Sequence, residues 1–163
     1  MKTFSKDKRG TFKYWFAHWC AFNMVAILTG KWKFKYLFHD AEKPWLLLIL
    51  GDYDKVRYWH KRNRRHHLEW LDRKVSEGLH EIDFRRYAEK FDWEAMVIDW
   101  ECSRFTKTAS PYTAYEEMYI VFENEHFRTH YPHLWGKSYL LKSHWLVPAM
   151  KELGLYNPQE NKQ

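Results

Sequence analysis

The sequence predicts an all-α fold, a single compact bundle of about six to eight helices. Two observations carry this. Six glycines and five prolines among 163 residues are too few turn formers for a many-stranded sheet. Apolar residues also recur at helical spacing through successive segments. A hydrophobic fraction of 45% beside 29% charged residues gives a globular chain with enough apolar surface for one core.

Taken in order, residues 11 to 29 read as a first helix, with Tyr14, His18, Ala21, Phe22 and Val25 on one side and Gly30 closing it. Residues 32 to 43 read as a second helix. "KWKFKY" alternates and would equally suit a strand, but a helix puts Trp32, Tyr36 and His39 on one face. Pro44 starts a short apolar helix, and Gly51-Asp52 ends it and caps the next. That next helix covers 53 to 75, with a break within "HKRNRRHH". Helices follow over 82 to 90 and 92 to 106, the latter capped by Asp92, and then over 112 to 128 and 137 to 153. Pro148 should kink or shorten the last. The expected organisation is one helical domain over 1 to 155 and a frayed tail over 156 to 163.

The net charge of +6 favours anionic partners such as nucleotides, phosphate esters or nucleic acid. Nucleic acid is not favoured, because the 20% of aromatic residues suit packing better than base stacking. The longest apolar run, "PWLLLIL" at 44 to 50, is far too short to span a bilayer, and no membrane partner is expected. The basic N-terminus lacks a following plain apolar stretch and a small-residue cleavage site, so no secretory signal is read. Cys20 and Cys102 make no disulfide framework, which suits two free thiols in a reducing cytoplasm.

The chemistry concentrates in an ordered series: His18, then His39-Asp40, then His60 and His66-His67, then Asp99. Asp40 follows an apolar stretch and Asp99 lies between Ile98 and Trp100. Burying two unpaired carboxylates costs several kcal/mol. One divalent cation would neutralise Asp40 and Asp99 and take the lone pairs of His18 and His39. Imidazole with carboxylate suits Mn, Fe, Co, Ni or Zn better than Ca. Lys43 lies four residues after His39 and three after Asp40, one helical turn along, where its ammonium would meet an anion held at the metal. His60 and His67 are seven apart and would share a helix face with Asn63 and Arg64. They would complete a second metal position, with Arg62, Arg64 and Arg65 rimming it.

The order His18, His39-Asp40, Asp99 resembles the HD-domain superfamily of metal-dependent phosphohydrolases, and "HDAEK" is similar to the HDxxK form of its motif. The histidines between the pair and Asp99 are similar to its two-metal branch, which includes phosphodiesterases and di-iron oxygenases. His39, Asp40, Lys43, His60, Asn63, His66, His67, Trp70, Asp99 and Trp100 resemble, more narrowly, a small family of bacterial and phage proteins related to HD domains. The resemblance runs over residues 14 to 104 and lacks any Gly-Tyr-Pro segment. It implies an HD-like helical domain holding one or two divalent ions through His18, His39, Asp40, His60, His67 and Asp99. Asp40 and Lys43 would be catalytic, and Lys43, Asn63 and Arg64 would hold the phosphate. The expected activity is hydrolysis of a nucleotide or other phosphate ester by a metal-activated water. The alternatives are a di-iron oxygenase and a non-enzymatic binding or host-interaction protein on the same scaffold.

Other residues read more plainly. Cys20 and Cys102 read as small buried hydrophobes. His126 and His130, four apart, could grip a metal but read as surface or rim, as does His133. Glu116 and Glu117 read as solvated.

Overall fold

The computed structural model describes residues 12–78, 81–107 and 112–158. Among them every regular element is helical and there is no strand. None of these helices is long and apolar enough to cross a membrane.

The chain falls into two compact units. The first takes in the described residues up to His60 together with the stretch Ile98–Ala114. It contains α1 (Phe12–Leu28), a 3-10 turn at Phe34–Phe38, α2 (Lys43–Leu50), most of α3 (Tyr53–Asn63) and the C-terminal half of α6 (Trp93–Thr106). Its core gathers Phe22, Val25, Tyr36, Val56, Ile98 and Cys102. Phe22 is fully buried, meets Tyr36 edge-on with ring centroids 5.2 Å apart, and stacks on His39 at 3.6 Å. Burying one such phenylalanine contributes about 1.5–3 kcal/mol.

The second unit holds Lys61–Val97 and the chain from Tyr115 onward. It contains α4 (Leu68–Glu77), α5 (Glu81–Lys90), α7 (Ala114–Val121) beyond its first residue, α8 (Asn124–His130), α9 (Ser138–Leu141) and α10 (Val147–Glu152). Leu71, Phe84, Met96, Phe127, Leu146 and Met150 are buried there. The Asp72 carboxylate accepts from the His133 backbone N–H at 2.9 Å, and the Asp92 N–H donates to the Arg65 carbonyl at 2.8 Å.

Most sequence signals land where expected. Gly30 follows α1 at φ 68°, and Gly51 closes α2 at φ 62°. Asp52 Oδ1 accepts from the Asp54 and Lys55 N–H groups, and Asp92 Oδ1 from that of Ala95, so both cap the following helix.

Residues 32 to 43, residues 112 to 128 and the shared helix face of His60 and His67 are corrected, while the expected break within "HKRNRRHH" and the distortion before Pro148 are present. Residues 32 to 43 form no α-helix: Lys33 is extended, a single 3-10 turn follows, and Asp40 takes a left-handed φ of 60°. That conformation ends any right-handed helix, and aspartate tolerates it better than most residues. Trp32 is exposed while Tyr36 and His39 are buried, so the three share no face. The helix from residue 53 stops at Asn63, and α4 restarts at Leu68 behind an extended His67. His60 and His67 therefore do not lie on one helix face. The stretch 112 to 128 is two helices, because extended Glu123 caps a new one, accepting from the Glu125 and His126 N–H groups. The last helical stretch widens into a π turn at Lys142–Leu146 just before Pro148. Proline has no N–H to return to the fourth residue back, and the wider turn accommodates that. The expected tail, 156 to 163, lies partly outside the described residues.

Candidate metal centre

Within the first unit, α1 presents His18, the turn after the 3-10 segment presents His39-Asp40, α3 presents His60, and α6 presents Asp99. These side chains meet. His18 Nε2 lies 2.9 Å from Asp99 Oδ1 and 3.7 Å from Asp40 Oδ2. His39 Nε2 lies 3.6 Å from Asp40 Oδ1 and 3.8 Å from Asp99 Oδ1. His60 Nε2 lies 3.0 Å from Asp40 Oδ1. All three histidines and Asp40 are buried.

Local structure aims each group. The left-handed backbone at Asp40 turns the chain sharply, and the Trp15 indole N–H fixes it by donating to the Asp40 carbonyl at 2.8 Å. Such backbone strain, of order 1–3 kcal/mol, gathers at functional sites. The His39 ring is held flat against Phe22. The Lys43 ammonium donates to Asp40 Oδ2.

Two histidines have their outer nitrogen fixed by an acceptor. The Thr106 hydroxyl donates to the Cys102 carbonyl, leaving its oxygen to accept from His18 Nδ1–H at 3.3 Å. His60 Nδ1–H donates to Glu42 Oε1 at 2.6 Å. Nε2 of each faces a carboxylate oxygen, and with Nδ1 protonated it would offer a lone pair on that side. Asp40 Oδ1, buried, makes no hydrogen bond of acceptable geometry despite the nearby imidazoles. Imidazole nitrogens and carboxylate oxygens gathered this closely could hold a metal ion. A carboxylate or hydroxyl behind the distal nitrogen is also the usual support of a metal-binding histidine.

Donor atoms of His18, His39 and Asp40 lie within 4.8 Å of one another, as do those of Asp40, Glu42 and His60, and each trio could hold a metal ion. Asp40 belongs to both. Glu42 was not foreseen. A glutamate two residues before a helix-starting proline reads as an ordinary first-turn charge, and only the short contact with His60 reveals its place.

The electrostatics agree. Burial pushes the Asp40 and Asp99 carboxyls up, but their neighbours outweigh it. His39, Lys43 and His60 hold Asp40 well below the usual carboxylate range, and His18, His39 and Lys107 do so for Asp99. Burial lowers His18 below its ordinary value despite Asp99 and Asp40, so its imidazole is neutral at pH 7. Burial lowers Lys43 too, but the Asp40 carboxylate raises it above its ordinary value. Two carboxylates against one ammonium leave these four residues net negative.

Cys102 is buried with Sγ 3.7 Å from His18 Nδ1 and 3.2 Å from the Asp99 carbonyl oxygen. Burial and the Asp99 charge push its thiol well up, so it packs rather than reacts. Cys20, expected to be buried, is exposed because it faces outward on α1. Glu101, two residues from Asp99, is a structural carboxylate, accepting from the Ala114 N–H at 2.9 Å and pairing with Arg104 Nε at 2.8 Å.

His66, His67, Asn63 and Arg64 belong to the second unit. Asn63 ends α3 exposed and Arg64 is half-buried. The His66 and His67 rings lie 4.2 Å apart. No protein-family model, curated protein or solved structure matches the chain.

Proposed function

We propose that this chain is a metal-dependent phosphohydrolase of HD type, cleaving a nucleotide or other phosphate ester with a metal-activated water in the cytoplasm. The observation that carries the reading is the meeting of His18, His39, Asp40, His60 and Asp99 in one cluster, all but Asp99 buried. The donor set suits one or two ions of the Mn, Fe, Co, Ni or Zn kind. Such a cation, when bound, supplies Lewis acidity and makes a coordinated water easier to deprotonate.

The chain's own groups do the rest. His39 and His60 bring donors to Asp40 Oδ1, His18 brings one to Oδ2, and Asp99 Oδ1 meets His18 and His39. Glu42 and Thr106 hold the His60 and His18 rings in the tautomer that leaves Nε2 available. Ionised Asp40 accepts a proton from, or orients, the attacking water. Lys43 is the most exposed of the cluster's side chains, with its ammonium at Asp40 Oδ2. From there it steadies phosphate oxygens as charge shifts onto them. The net charge of +6 suits an anionic substrate.

Purified protein should contain metal and hydrolyse a generic phosphodiester, bis(p-nitrophenyl) phosphate, with Mn under anaerobic conditions. Asp40→Ala should lose metal and turnover together while circular dichroism stays helical. Undiminished turnover in that variant contradicts the proposal. The shared Asp40, with Glu42 and His60 beyond it, would also suit a di-iron oxygenase. Oxygen uptake by an iron-loaded form that hydrolyses nothing selects that reading instead.

A further inference from the structure

The outward stripe of α1 is apolar. Phe12, Phe16, Cys20, Met24 and Ile27 follow one another at spacings of three and four, and all are exposed. A solvent-facing stripe is normally polar. The anomaly continues along the same unit. Phe34 and Phe38 stand exposed with ring centroids 5.7 Å apart, and α2 buries no residue at all, leaving Trp45 and, at 78% exposure each, Leu48 and Ile49 to solvent. Tryptophans of α1 join these pieces. Trp19 lies 5.8 Å from the Phe16 ring and donates to the Leu37 carbonyl, and Trp15 lies 5.1 Å from Phe12 and donates to the Asp40 carbonyl. α1 also packs against α2. Single exposed apolar residues are ordinary, but a contiguous surface of this kind marks a docking face.

Its charge identifies the occupant. Residues 12 to 39 contain Lys13, Lys31, Lys33 and Lys35 and no aspartate or glutamate. Lys33 and Lys35 are exposed between the exposed rings of Trp32 and Phe34 and the turn that ends at Phe38. We propose that this face seats the protein on an anionic phospholipid surface, with the aromatic and aliphatic side chains entering the headgroup boundary and the lysines meeting lipid phosphates and carboxylates. Apolar area plus a basic fringe is the two-part attraction that peripheral membrane binding requires. A second copy of the chain fits worse, because a two-fold contact would set this all-positive segment against itself. Nucleic acid fits worse as well: the segment has no arginine, and the aliphatic Met24, Ile27, Leu28, Leu48 and Ile49 among its rings suit an acyl boundary better than stacked bases. No helix need cross the bilayer, so the shortness of the apolar runs does not oppose it.

The test is cosedimentation of the full chain with vesicles of phosphatidylcholine alone and with added phosphatidylserine, followed also by tryptophan fluorescence. The protein should bind the anionic vesicles more tightly, with a blue-shifted emission, and less tightly as salt rises. Lys33→Gln with Lys35→Gln should weaken that binding about twenty-five-fold, at about fivefold for each lysine. Leu48→Ser with Ile49→Ser should weaken binding to both kinds of vesicle, and chelating the metal should change neither. The salt titration reads the same attraction in the unaltered chain, so it stands even if a variant folds poorly. Absence of binding to anionic vesicles overturns the proposal. So does self-association, or binding of a single-stranded oligonucleotide, that is abolished by the same substitutions while vesicles are ignored.

Discussion

His18, His39 and His60 in the first unit, and His126 and His130 in the second, offer the same nitrogen donors in opposite settings. The first three are buried, come from three separate elements and face Asp40 or Asp99. The second two sit four residues apart on α8, the spacing most often linked with metal grip. Their rings stack at 4.1 Å, and His130 Nδ1 is turned back to the His126 carbonyl at 2.9 Å. His130 is exposed, and burial together with His130 lowers His126 below its ordinary value. Water can solvate such a pair without help. The buried trio is largely withdrawn from water and shares its space with two carboxylates, so a cation there would relieve an electrostatic cost that the exposed pair does not carry. Burial with carboxylates, rather than helical spacing, separates a site from a surface pair.

The sharpest break of that contrast is Asp40→Ala against His126→Ala with His130→Ala. Metal content by elemental analysis should vanish in the first and stay unchanged in the second. Next in size is Glu42→Gln, which should weaken metal binding by about 10–100-fold through the loosened His60 ring. Competition with a fluorescent chelator measures this, and a His60 that binds equally well without Glu42 would remove that support from the account.

A smaller effect is expected from pH in the metal-free protein. His18 is held below its ordinary value of 6.5, so above that pH its contribution to stability is fully present. As pH falls below 6.5 toward the folded value, the unfolded chain takes up a proton that the folded one refuses, and stability drops. Asp40 and Asp99, held low, lose their contribution only below the ordinary carboxylate value of 3.8. The urea midpoint should therefore decline between pH 7 and pH 5, and His18→Gln should flatten that decline. The smallest effect belongs to the His126 and His130 pair, whose replacement should move stability by no more than about 0.5 kcal/mol in a urea titration.

Much of the site was legible in the sequence because polar residues interrupted apolar stretches. His18 lies on the buried side of α1, His39-Asp40 follows Leu37-Phe38, and Asp99 follows a buried Val97-Ile98. A polar group placed there needs a partner, and physics could foresee that without coordinates. Helix order was legible for the same reason, with Gly30, Gly51, Asp52 and Asp92 as working stops and caps. What stayed hidden were effects of backbone shape. The left-handed turn at Asp40 replaces an expected helix. The stop at Asn63 ends the single helix expected to carry both His60 and His67. Glu42 finds His60 across eighteen positions of chain, which no local spacing encodes. The uncovered apolar stripe of α1 was hidden too, since a helix apolar on both sides gives no sign that its second side stays exposed.

The central claim is that a cation belongs among His18, His39, Asp40 and Asp99. Anomalous diffraction from crystals grown with Mn, collected on both sides of the metal edge, tests it directly. The account predicts a peak within coordination distance of those four side chains and none beside His126 and His130. A map without a peak at the four, from crystals whose solution holds ample Mn, would contradict it.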